Sequence, residues 1–128
     1  MRYTLGKDEK LKGRKLIELL FSEGKRVKSF PIQLIYFKNN RETEVAIKAG
    51  FSVPKRNIKL AVNRNRIKRM LREVYRLNKF KFLDNLKDPY VFMFIYMAKE
   101  EINYADLEQA LHKLHEKFLT KISDDEQV

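Results

Sequence analysis

The stretch NRNRIKRMLR, Asn63 to Arg72, places five cationic side chains in ten residues. From Lys55 to Arg76 the run holds nine cations, Lys55, Arg56, Lys59, Arg64, Arg66, Lys68, Arg69, Arg72 and Arg76, against one acid, Glu73. At about 100° per residue, Arg64, Lys68, Arg72 and Arg76 line one stripe of a helix, and Asn65 and Arg69 widen it. Arg66 borders the other side of an apolar arc formed by Ile67, Met70, Leu71 and Val74, and both motif arginines are expected to face solvent. A solvated helix face ordinarily mixes signs and gains pairs four residues apart. This row does neither. Its mutual repulsion would be relieved by bound phosphates, which a guanidinium can meet as a two-pronged fork. The chemistry it offers is anion binding.

Other chemistry is thinly represented. His112 and His115 lie three apart on one helix without a third ligand pattern, so no metal site is expected there. Glu100-Glu101 and Asp124-Asp125 have ordinary explanations, a helix start and a solvated tail. The four glycines are not clustered into a phosphate-cradling loop, and the absence of cysteine excludes disulfides, thiolate metal sites and thiol nucleophiles. No catalytic side chain is predicted.

With 128 residues the chain fits one domain, 1–128, with 1–10 and 123–128 expected to be flexible. Twenty-eight Lys and Arg against 17 Asp and Glu give a formal charge of +11 and a pI near 9.8, a balance that calls for a polyanionic partner. A membrane surface would also satisfy it, but no apolar run is long enough to span a bilayer, and MRYTLGKDEKLKGRK lacks the apolar stretch of a signal peptide. A cytoplasmic address follows as the expectation. Only Asn63 and Asn65 could read base edges from the basic helix, so phosphate and shape recognition of structured RNA fits better than major-groove readout of DNA. A DNA-binding helix and a ribosomal-type RNA-binding module both stay open at this point.

The elements that must position the cations follow from periodicity. Leu16, Ile17, Leu20 and Phe21 share one face of a short first helix that Gly24 stops. FPIQLIYF (Phe30–Phe37) reads as a strand, Asn39–Glu42 as a turn, and Val45, Ile47, Ala49, Phe51 and Val53 alternate in a further run that Pro54 ends. Gly50 marks either a bulge or a division of that run into two strands. The basic helix should extend to about Leu77, with KFKFLDNLKDP as a charged connection. The apolar run Tyr90–Met97 is the candidate central strand. Asn103 offers an N-cap and Asp106 an acidic third position for a last helix whose buried face is Leu107, Ala110, Leu111, Leu114, Phe118 and Ile122. The order α-β-β-(β)-α-β-α predicts an α+β sandwich with helices packed on a sheet.

GFSVPKR (Gly50–Arg56) followed by AVNRNRIKRMLREVYR (Ala61–Arg76) closely resembles the signature of the protein subunit of bacterial ribonuclease P, whose arginine–asparagine–arginine motif is matched by Arg64-Asn65-Arg66. Leu11-Lys12 before a short helix ending at Gly24 is similar as well. The resemblance implies an α-β-β-β-α-β-α order with a mixed four-stranded sheet and a left-handed β-α-β crossover, against the usual right-handed rule. It implies a subunit of an RNA-based endoribonuclease, in which the RNA removes the 5′ leader of precursor tRNA with magnesium ions held mainly by RNA. The implied partners are that RNA subunit and the leader, with no membrane and no stable protein partner. Lys55, Arg56, Arg64, Asn65, Arg66, Lys68, Arg69 and Arg72 become the implied RNA-binding surface. Ile17, Phe21 and Tyr36 become the leader cleft. Phe21 has core packing as its alternative, and Ile17 stands where the family usually has an aromatic. The loop before Ala61-Val62, reading NIKL, departs from the family's Gly or Asn and is one residue longer.

Overall fold

The computed structural model describes residues 14–38, 47–84, 86 and 88–126. Leu11-Lys12, the turn expected at Asn39–Glu42, the strand position of Val45 and the tails 1–10 and 127–128 lie outside the described residues. The elements are α1 (Arg14–Glu23), β1 (Lys25–Ser29), β2 (Ile32–Lys38), β3 (Ile47–Ser52), α2 (Ala61–Leu83), β4 (Tyr90–Tyr96) and α3 (Tyr104–Glu126). They form a mixed four-stranded sheet in the order β1-β2-β4-β3, antiparallel except for the β3–β4 pair. The α+β sandwich is as expected from the sequence.

Strand alternation divides the core between two faces. Ile32, Leu34 and Tyr36 of β2 and Tyr90, Phe92, Phe94 and Tyr96 of β4 point to the side covered by α2 and α3. Ile35, Val91 and Met93 point to the other side, where Leu20 of α1 is fully buried against them. β4 is therefore covered on both faces, which is why its sequence is an unbroken apolar run. In α3, Leu107, Ala110, Leu111, Leu114, Phe118 and Ile122 are all buried, and Asn103 Oδ1 accepts the Asp106 backbone N–H at 2.9 Å as the predicted cap. Residues 123–126 continue this helix rather than beginning a tail.

Three local expectations are corrected. The third strand does not arise by division at Gly50, since β3 runs through it with Gly50 opposite Met93. It is instead β1, KRVKS, which precedes the segment read as the first strand. Only Val27 and Ser29 of β1 are buried; its Lys25, Arg26 and Lys28 lie exposed on an edge strand, where charge blocks unwanted pairing and also conceals the strand's alternation. Finally, α2 continues through the supposed connection to Leu83, because Phe82 is 1% exposed and packs on Phe92 and Phe118 with ring centroids 5.6 and 6.1 Å away. Burying such a ring is worth about 1.5–3 kcal/mol, enough to extend a helix across interspersed lysines.

Candidate nucleic-acid interface

The basic surface is built on the first half of α2 and the loop before it. After Pro54, the backbone N–H groups of Asn57 and Ile58 donate to the Pro54 carbonyl at 3.0 and 3.2 Å, and the Ile58 side chain is buried. Asn57 Nδ2 donates to the Tyr96 carbonyl at 3.1 Å. Arg64 closes the loop from the other side, its Nη1 donating to the carbonyls of Ile58 at 3.0 Å and Lys59 at 2.7 Å. The loop is thus held at both ends. Leu60 occupies the N-cap without a side-chain cap, and the first turn contains no acid, so the positive end of the helix adds to the cationic field.

The expectation that both motif arginines face solvent holds for Arg66 and is corrected for Arg64. Arg64 is half-buried against the loop. Arg66 is exposed yet engaged: Nε meets Glu101 Oε1 at 2.8 Å, while Nη2 meets Glu101 Oε2 at 2.9 Å and Asn63 Oδ1 at 3.0 Å. Hydrogen bonding to the Glu101 carboxylate, then its charge, raises the Arg66 pKa above its ordinary value. Arg76 pairs with Glu73, which raises the arginine and lowers the carboxylate. The stripe read from the sequence is therefore neutralised at Arg76 and tied down at Arg64. What remains is a set of six cations with no partner among the described residues: exposed Lys55, Arg56, Lys59, Arg69 and Arg72, and half-buried Lys68. Asn65 is exposed beside them.

The residues expected to form a cleft are only partly brought together. α1 packs over β2 and β4, the two central strands. On it, Ile17 is half-buried and Phe21 is 44% exposed, which rules out core packing for Phe21. Tyr36 does not join them. It lies on the opposite face of the sheet, 3% exposed, with its ring 5.0 Å from that of Phe118 in α3. A strand turns successive side chains to opposite faces, so the aromatic on the α1 side is the next residue, Phe37. Half-buried Ile95 continues this face, as by register do Gly50 and Ser52 of β3 opposite Met93 and Ile95. Alternation counted from Ile35 would have identified Phe37 in the sequence.

Among the described residues no group of three His, Cys, Asp or Glu could hold a metal ion, and the basic surface does not fit a divalent cation. His112 Nε2 lies 3.1 Å from Asn78 Oδ1 and 3.2 Å from Lys81 Nζ. The His115 ring lies tilted against that of Phe82 with centroids 4.5 Å apart, and its Nε2 is buried with no hydrogen-bond partner among the described residues. Burial lowers its pKa below the ordinary 6.5. A histidine depressed in the folded state binds fewer protons folded than unfolded. Its contribution to stability is fully present above the unfolded value and is lost as pH falls through the folded one. The fall in Tm between about pH 7.5 and 5.5 is expected to shrink in His115→Leu; an unchanged fall would remove His115 from the acid response.

No helix among the described residues is long and apolar enough to cross a membrane. A family model described as Ribonuclease P matches residues 5–121. The ribonuclease P protein component of Porphyromonas gingivalis is 32% identical over 114 residues, which span 87% of this chain and 83% of that protein. The structure is also similar in fold to the RNase P protein of Staphylococcus aureus, with a TM-score of 0.68 at 21% identity over 84% of this chain and 93% of the other. For the RNase P protein of Thermotoga maritima the TM-score is 0.67 at 24% identity, over 85% of this chain and 96% of the other. A motif helix standing on this sheet, a family match along most of the length and a relative of that identity lead to one conclusion: the chain belongs to the ribonuclease P protein family.

Proposed function

We propose that the chain is the protein component of a ribonuclease P ribonucleoprotein in the cytoplasm, and that it binds the catalytic RNA through α2 and the loop before it. The observation that carries this reading is the set of six cations, Lys55, Arg56, Lys59, Lys68, Arg69 and Arg72, left without partners among the described residues on a hydrogen-bonded loop and the helix after it. Asn65 and the motif arginines complete the surface. The α1 face of the sheet, with Phe21 and Ile17 on the helix and Phe37 and Ile95 on the strands, receives the unpaired 5′ leader of precursor tRNA. Hydrolysis belongs to the RNA, with magnesium ions held mainly by RNA supplying the metal-dependent chemistry. This protein's part is to position substrate and to offset phosphate repulsion, which lowers the magnesium needed.

The test is leader cleavage of precursor tRNA by bacterial ribonuclease P RNA at low magnesium, with and without the protein. Cleavage only when both are present is the expected result. If several such RNAs, including that of the same organism, gain nothing, a non-catalytic RNA-binding module takes the place of this reading.

Phe21→Ala gives a separate expected outcome. Since the ring is exposed, the variant should melt within a few degrees of the wild type, while affinity of the assembled enzyme for leader-bearing substrate falls about tenfold, the worth of one base stacked on an aromatic. Equal weakening for substrate with and without a leader would remove Phe21 from the cleft.

A further inference from the structure

The two arginines of the motif have equivalent sequence surroundings, yet they use their donors differently. A guanidinium carries five N–H donors, and its Nε/Nη2 edge is a fork that fits two phosphate oxygens. In Arg64 both bonds come from Nη1, to the carbonyls of Ile58 and Lys59, and the fork has no acceptor among the described residues. In Arg66 the fork is taken, with Nε and Nη2 on the two oxygens of Glu101 and the second Nη2 hydrogen on Asn63. Only Nη1 is left to Arg66.

Glu101 is itself held in place. The Tyr96 hydroxyl donates to the Glu100 carbonyl at 2.5 Å and accepts the Ile102 N–H at 3.0 Å, which fastens the loop between β4 and α3 to the end of the central strand. The same tyrosine's carbonyl receives Asn57 from the loop before α2. Both loops beside the first turns of α2 therefore depend on Tyr96, and Arg66 is the side chain that joins the second of them to the helix.

We propose that Glu101 is a positioning residue of the RNA interface, holding Arg66 as a latch between α2 and the β4–α3 loop, and that Arg64 is the motif arginine whose open fork grips an RNA phosphate. This deepens the RNA-binding reading above and rests on it. Simple electrostatics makes the opposite prediction for Glu101. An acid on a phosphate-binding surface repels RNA, so its removal should tighten binding. A latch makes removal weaken it.

The experiment measures the Kd of the full-length protein for bacterial ribonuclease P RNA over a salt series, with Tm recorded for each variant. Glu101→Gln, which keeps one acceptor oxygen, is expected to weaken binding about twofold, and Glu101→Ala and Arg66→Ala about fivefold, the scale of an exposed ion pair. None of the three should change the slope of log K against log salt, because no phosphate contact is lost. Arg66→Lys keeps the charge but cannot close the fork, and is expected to lose as much as Arg66→Ala. Arg64→Ala should weaken binding about tenfold or more and reduce the slope by roughly one. Tighter binding by Glu101→Gln, or full affinity in Arg66→Lys together with a reduced slope in Arg66→Ala, overturns the latch and makes Arg66 a phosphate contact. Absence of any wild-type binding would instead overturn the RNA-binding reading, and the latch with it.

Discussion

Replacing Lys68, Arg69 and Arg72 together by Gln is expected to weaken binding of ribonuclease P RNA by about 10²–10³-fold at roughly 0.1 M salt, and to reduce the salt slope by two to three. Each lost phosphate contact removes about 0.9 from the slope, and at 0.1 M each such unit is worth nearly a factor of ten. These three are chosen over the motif arginines for a structural reason. They have no hydrogen-bond or ionic partner among the described residues, so their removal leaves no donor or acceptor of the protein stranded. Stability should even rise slightly as like charges separated by one helical turn are removed. The wild type, with six such cations, should itself lose about 10³–10⁵ in affinity between roughly 50 and 200 mM salt. A triple variant with unaltered slope would show that RNA docks elsewhere, and a triple variant that fails to fold would show that half-buried Lys68 serves the core.

Gly24→Ala is expected to lower stability by about 2–4 kcal/mol and Tm by about 10 °C or more. A Cβ at this position would lie 2.2 Å from the Leu20 carbonyl oxygen and 2.7 Å from Ile35 Cγ2. The first of these is backbone at the end of α1, where the Gly24 N–H also donates to that same oxygen at 2.9 Å, so it cannot simply rotate aside. The glycine is required for close approach of the chain to β2. Relief of the clash would lift the end of α1 from Ile35 and loosen the Leu20 contact with Val91 and Met93. The basic surface stands on α2, on the opposite face of the sheet. Leader-dependent substrate affinity should therefore suffer before affinity for the RNA subunit does. Unchanged Tm in Gly24→Ala would show that the helix end moves freely, and equal loss of both affinities would show that the two faces are not independent.

Much of this molecule was legible in one dimension. The last helix, its Asn103 cap and six buried positions follow from a period of 3.6 and a capping preference that act over a few residues. β4 was identifiable because a strand covered on both faces needs no polar alternation. The cationic character of α2 and the loop before it was legible because nine cations and one acid between Lys55 and Arg76 cannot be a neutral solvated face. Gly24 was read as a stop, which it is, although the reason lies in Ile35 on a neighbouring strand.

Tertiary structure decided the rest. β1 was hidden because an edge strand buries only Val27 and Ser29 and carries charge elsewhere. The second half of α2 was hidden because the hydrophobic gain that sustains it is contact between Phe82 and rings on β4 and α3. Tyr36 was assigned to the wrong side because two adjacent aromatics, Tyr36 and Phe37, are distinguished only by which helix covers each face. Most consequential is the division of labour among the cations. Composition and helical spacing set how many positive charges stand on α2, but whether the Arg66 fork is open depends on Glu101, 35 residues from Arg66 in the chain and 2.8 Å from it in space. Periodicity is a property of neighbouring residues along the backbone, whereas an ion pair is made by whatever folding brings within hydrogen-bond reach.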